Sequence, residues 1–134
     1  MSVADSLAKF LPNVAVTDGI AVRVSVAFLA DQSNPAAQRW FWSYHVRIEN
    51  GSDRSVQLLS RSWEIVDGRG TLHEVHGEGV VGELPLIPPG GSFDYVSGCP
   101  LDTPSGAMSG HYHMVDEHGV AFDIAIPRFV LDAR

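Results

Sequence analysis

The chain has 134 residues, with 16 acidic side chains against nine basic ones, a net charge of -7 at pH 7 and 45% hydrophobic residues. That length and apolar share suffice for one core of ordinary size, while the acidic balance, with no basic run, excludes a nucleic-acid partner held by phosphate neutralisation. The single cysteine, Cys99, excludes an internal disulfide and a Cys-rich zinc site and fits a reducing, cytoplasmic setting. Residues 1–12 lack a basic start, and Asp5 and Lys9 interrupt their apolar stretch, so they read as an N-terminal arm rather than a signal or anchor. No membrane insertion is expected, and residues 13–134 read as a single domain.

From Val14 onward apolar residues recur at every second position, the period of a half-buried strand. Ile20, Val22, Val24, Val26 and Phe28 share one face. After a polar loop, Trp40, Trp42, Tyr44, Val46 and Ile48 do the same, with Ser43, His45, Arg47 and Glu49 turned to solvent. Asn50-Gly51-Ser52-Asp53 reads as a turn leading to Val56 and Leu58. Beyond it the apolar parity flips to Trp63 and Ile65, which one extra residue in a bulge at 59–61 explains. Asp67-Gly68-Arg69-Gly70 is a hairpin signal, followed by a strand over 72–76 and a glycine-rich segment. Phe93 and Tyr95, Tyr112 and Met114, and the row Val120, Phe122, Ile124, Ile126 complete the pattern around a second turn at 116–119. No window holds a 3.6-residue period over three turns. Seven or more short antiparallel strands therefore predict an all-β sandwich, with a closed barrel as the structural alternative.

Gly77, Gly79 and Gly82 match the G-x-G-x-x-G dinucleotide fingerprint, which requires a helix opening on the last glycine to meet the pyrophosphate. Here Pro85, Pro88, Pro89, Gly90 and Gly91 follow instead, and no helix propagates through them. Val75-His76-Gly77-Glu78-Gly79-Val80-Val81-Gly82-Glu83-Leu84-Pro85, together with Leu59-Ser60-Arg61-Ser62-Trp63 and Gly106-Ala107-Met108-Ser109-Gly110-His111-Tyr112, resembles the ApaG family. That family is also called CorD in the context of cobalt and magnesium tolerance. The resemblance runs from about Val14 to Leu131. It implies a fold like fibronectin type III and immunoglobulin sandwiches, which agrees with the independent period-two reading, and it implies no catalytic mechanism. Similar domains are appended to F-box proteins and to a polymerase-delta-interacting protein, which points by analogy to partner recognition.

Several residues are candidates for binding. Gly77, Gly79 and Gly82 permit the left-handed backbone that turns successive N–H groups into an anion nest; equally, they accommodate a bulge or a close strand approach, and Glu78 and Glu83 oppose a phosphate there. His111 and His113, two apart on a strand, project to one face, whereas His73 and His76, three apart, project to opposite faces. Two imidazoles are a weak metal site, since Co²⁺ accepts them but Mg²⁺ prefers oxygen ligands and retained waters. Cys99 carries no local histidine partner, and Gly106 to Gly110 is not a G-x-S-x-G elbow, so no catalytic residue is expected. Arg61 shares a face with Trp63, as a ligand-facing pair or as a core anchor with Arg61 at its edge. Phe41, opposite in parity to Trp40 and Trp42, is a candidate partner-facing aromatic, and with Arg61 it makes up the candidate partner surface.

The sequence thus leads to a non-enzymatic binding module, without cofactor or assigned metal. It would act through an unidentified protein partner, as a monomer or as a homodimer formed at an open sheet edge. The competing expectation is an enzyme accessory that binds a nucleotide or pyrophosphate at the Gly77 to Gly82 loop.

Overall fold

The computed structural model describes residues 10–134, so most of the arm expected over 1–12 lies outside the described residues. The strands are β1 (Asn13–Thr17), β2 (Ile20–Phe28), β3 (Trp40–Asn50), β4 (Val56–Asp67), β5 (Leu72–Glu78), β6 (Leu86–Ile87), β7 (Ser92–Leu101), β8 (Ser105–Asp116) and β9 (Ala121–Asp132). All pairings are antiparallel. One sheet has the order β1-β2-β3-β7 and the other β5-β4-β8-β9, with β6 continuing the β5 side of β4. This is the expected all-β antiparallel sandwich. The run beginning at Val14 is not one strand but two. Asp18 and Gly19, both at positive φ, form a tight turn between β1 and β2, as an Asp-Gly pair favours. Val120, expected in the apolar row, is 54% exposed beside the turn at Gly119.

The inward rows of both sheets interlock as a single core. Ile20, Val22, Val24, Trp42, Val46 and Ile48 from one sheet meet Leu58, Met114, Ile124, Phe129 and Leu131 from the other, each almost fully buried. A bulge between Leu58 and Ser60 expels Leu59 and reverses the parity of β4, so Arg61, Trp63 and Ile65 turn inward where Ser62 and Glu64 turn outward. A second register shift, between Met108 and Gly110 in the β8–β9 pairing, falls beside Pro127, where the missing N–H leaves no gap in the ladder.

The two long sides of the sandwich differ. On one, β1 lies against β9, and the Ala125 amide donates to Thr17 Oγ1 at 3.1 Å. On the other, the free edges of β5 and β7 stand apart. Each pairs with one neighbour only, and a cavity opens between them.

Candidate functional site

The cavity has a volume of about 490 Å³, within the range of small-ligand pockets. Its walls are Tyr44 from β3, Trp63 and Ile65 from β4, Val75 from β5, Leu101 from β7 and Met108 from β8. Its polar groups are Arg61, His73, Ser97 and Asp102. Trp63 is 3% exposed and stands edge-on to Tyr44 and Phe129, with ring centroids 5.4 and 6.0 Å away. It serves as core anchor and cavity wall together.

Arg61 is held by the glycine segment. In the β4–β5 register it faces Gly77, and a Cβ on that glycine would lie 2.6 Å from Nη2, so the missing side chain is the space the guanidinium occupies. Nη1 donates to the carbonyls of Glu78 (3.1 Å) and Gly79 (2.7 Å). Arg23, Arg47, Arg54 and Arg69 each meet a carboxylate, whereas among the described residues the bonds of Arg61 go to carbonyls. Its charge therefore faces the cavity without a counter-ion.

Three tyrosines surround that charge. The hydroxyls of Tyr95 and Tyr112 share a short buried hydrogen bond. Burial pushes both well above the usual phenol range, with the positive charge of Arg61 acting weakly the other way. Tyr44 is raised too, chiefly by burial and against a hydrogen bond with Ser97. The Cys99 thiol is pushed up to about 11 by burial and stays protonated at neutral pH, an inert side chain. Asp67, the partner of the lining residue His73, is held below the usual carboxylate range, first by the hydrogen bond from His73 (2.9 Å) and then by the backbone N–H groups of Thr71 and Arg69. Asp102 is bound by Arg69 at 2.6 Å.

In the glycine loop the amides of Gly79, Val80 and Glu83 are already engaged. Gly79, at φ +62°, gives its N–H to Leu59 O (2.8 Å), and Val80 and Glu83 exchange N–H···O bonds (both 2.9 Å) around Val81 and Gly82, both at positive φ. These amides are engaged, and the carbonyls of the segment turn to Arg61. The Phe41 ring is half-covered rather than free, lying over Gly98, where a Cβ would come 2.4 Å from its Cζ.

On the outer face of the second sheet, His113 Nδ1 stands 2.8 Å from Asp123 Oδ1, and His113 Nε2 2.7 Å from Ser62 Oγ, which also lies 2.9 Å from His76 Nδ1. This is the order carboxylate, imidazole, hydroxyl. β4 is paired on both sides at Ser62, so the neighbouring amides are engaged in the ladder and no oxyanion donors converge there. His111 is exposed beside this chain. Among the described residues no group of three or more His, Cys, Asp or Glu is placed to hold a metal ion, and none of the helices is long and apolar enough to cross a membrane.

The sequence reading missed the link between Arg61 and the glycine segment, although folding the chain back at Asp67–Gly70 already sets Gly77 opposite Arg61. It also missed the cavity and the Ser62–His113–Asp123 chain, which depend on how β5, β7 and β9 are placed in space.

Fold and site together define a two-layer antiparallel sandwich, closed on one side and open on the other over a cavity with one uncompensated guanidinium. The ApaG domain family matches residues 30–116. Protein ApaG of Mesorhizobium japonicum is 54% identical over 118 residues, 88% of this chain and 91% of that protein. Protein ApaG of Afipia carboxidovorans is 54% identical over 119 residues, 89% of this chain and 92% of its own length. A crystal structure of an ApaA protein from Bordetella pertussis is 44% identical and superposes with a TM-score of 0.82 over 84% of this chain and 92% of that one. The chain belongs to the ApaG family.

Proposed function

We propose that the chain is a non-enzymatic binding module whose receiving site is the cavity between β5 and β7. In this reading it works in the cytoplasm through a protein partner and is connected with cobalt and magnesium homeostasis by way of that partner. The cavity itself carries the reading: it pairs an apolar, aromatic wall with a guanidinium that has no counter-ion. Its titratable groups favour binding over chemistry, since burial keeps the Cys99 thiol and the tyrosine hydroxyls protonated. The free edges of β5 and β7 beside the mouth offer ladder hydrogen bonds to an extended segment.

Affinity capture from native lysate tests this with three baits: the unaltered chain, Val75→Trp, which plugs the mouth from an edge strand, and Phe41→Ser on the outer face. The expected result is a stoichiometric partner retained by the unaltered chain and Phe41→Ser and lost with Val75→Trp. Equal capture by all three would move the binding surface away from the cavity.

A further inference from the structure

We infer that the β5–β7 cavity takes a monoanionic carboxylate carried on an apolar body, with the carboxylate on Arg61 and the body against Trp63, Ile65 and Met108. This rests on the reading of the cavity as the binding site and adds the chemistry of what enters it.

The argument begins with the donor geometry. Both N–H groups of Arg61 Nη1 are directed at the carbonyls of Glu78 and Gly79, which fixes the plane of the guanidinium. The remaining N–H groups, on Nε and Nη2, form the edge that matches the two oxygens of a carboxylate. The nearby polar groups Tyr44 and Ser97 are neutral hydroxyls, bonded to each other, and put no charge against an anion. A half-buried guanidinium without a counter-ion carries a desolvation cost, and an incoming anion relieves it.

Charge selects within the anions. The cavity holds one full positive charge from Arg61, while its other charged or chargeable lining groups, His73 and Asp102, already engage Asp67 and Arg69. One anionic charge balances Arg61. A second, as on a phosphate monoester, meets the Asp102 carboxylate with no further unpaired cation lining the cavity. The remaining wall is apolar and of ordinary ligand size, which sets the rest of the ligand as a hydrocarbon or aromatic body. Free organic acids and protein C-termini with an apolar last residue both carry this chemistry.

The probes are 4-phenylbutyrate, its neutral amide, phenyl phosphate, and an acetylated Gly-Gly-Leu peptide with a free or an amidated C-terminus, read by NMR shift mapping and calorimetry. The expected result is binding of 4-phenylbutyrate with Kd at or below about 1 mM, with shifts centred on Trp63, Val75 and Met108. The amide is expected to bind at least tenfold more weakly, and Val75→Trp and Arg61→Gln to lose the acid. Tighter binding of the free-carboxylate peptide assigns the source as a protein C-terminus; tighter binding of phenylbutyrate assigns it as a free acid. Should Arg61→Gln not fold, the acid and amide compared on the unaltered chain decide the matter. Equal affinity for acid and amide, preference for phenyl phosphate, or shifts outside the cavity would overturn the inference. Partner capture lost in Val75→Trp without carboxylate binding would overturn it while leaving the module reading intact, and carboxylate binding with capture unchanged would do the reverse.

Discussion

Arg61, Gly77 and Gly79 show how a fingerprint-like motif acquires a different physical meaning once its register is known. The two glycines are glycine for different reasons, and substitution should separate them. At Gly77 an added methyl meets the end of a flexible arginine, which can move. At Gly79 it meets the Glu83 carbonyl at 2.3 Å with φ at +62°, where neither the backbone nor an L-residue's torsion can yield cheaply. Gly79→Ala is therefore expected to lose about 2 kcal/mol or more and Gly77→Ala under about 1, measured by urea titration; equal losses would contradict this account. Trp63 offers a companion test. Its indole is buried against Tyr44 and Phe129, so Trp63→Ala should lose about 3–5 kcal/mol, and a loss below about 1 would make the indole dispensable to the core. Parity alone was enough to turn Trp63 inward in the sequence and to set Arg61 on its face. What the guanidinium touches was not legible, because its partners are main-chain carbonyls, which no residue code marks.

Among the elements, β4 and the two Asp-led turns were the most readable. The parity flip between Leu58 and Trp63 has one economical explanation, an extra residue, and the bulge lies between Leu58 and Ser60. The turn after β4 and the turn after β8 are built alike. Asp67 Oδ1 accepts from the N–H groups of Arg69 and Thr71, and Asp116 Oδ1 from those of His118 and Val120. Arg54 adds a 2.8 Å ion pair to Asp116. Both carboxyls sit below the usual range, Asp67 led by its bond from His73 and Asp116 by its bond from the Val120 amide. A folded-state pKa below the unfolded value contributes stability that is fully present above about pH 4 and is lost as pH falls through the folded value. Denaturant midpoints at pH 7 and pH 3 should show Asp67→Asn less stable than the unaltered chain at pH 7, with the gap narrowing at pH 3; a gap that persists in acid would assign the effect to shape rather than charge. The glycine turn was less readable, since its spacing matches a phosphate cradle while its amides close on Leu59, Val80 and Glu83. NAD, ATP and diadenosine polyphosphates are accordingly expected to bind no tighter than about millimolar, and micromolar calorimetric binding abolished by Gly79→Val would restore the nucleotide reading.

For the whole molecule, the alternation of apolar and polar residues fixed the layers but not which sides of the sandwich meet. The cavity arises because β1 lies against β9 while β5 and β7 are not paired, and such placements of distant edges leave no local pattern in the chain. The same placement bears on the proposed metal connection. His113 is engaged by Asp123 and Ser62 on the outer face, and His111 is exposed beside it. Two imidazoles, one already engaged, fall short of the three or four ligands of a tight transition-metal site, and Mg²⁺ prefers oxygen donors. Replacing both leaves the core untouched and removes an exposed His113–Asp123 contact worth under about 1 kcal/mol, so His111→Ala/His113→Ala should remain folded. If the link to cobalt runs through a partner at the opposite, cavity-bearing side of the sheet, cells carrying that variant should tolerate cobalt as well as cells with the unaltered chain, while Val75→Trp lowers tolerance. Calorimetry on the purified protein should then show only weak, histidine-dependent Co²⁺ binding and no specific Mg²⁺ binding. Loss of tolerance in the folded double variant, accompanied by loss of a stoichiometric cobalt site, would overturn that account and make direct metal binding the function.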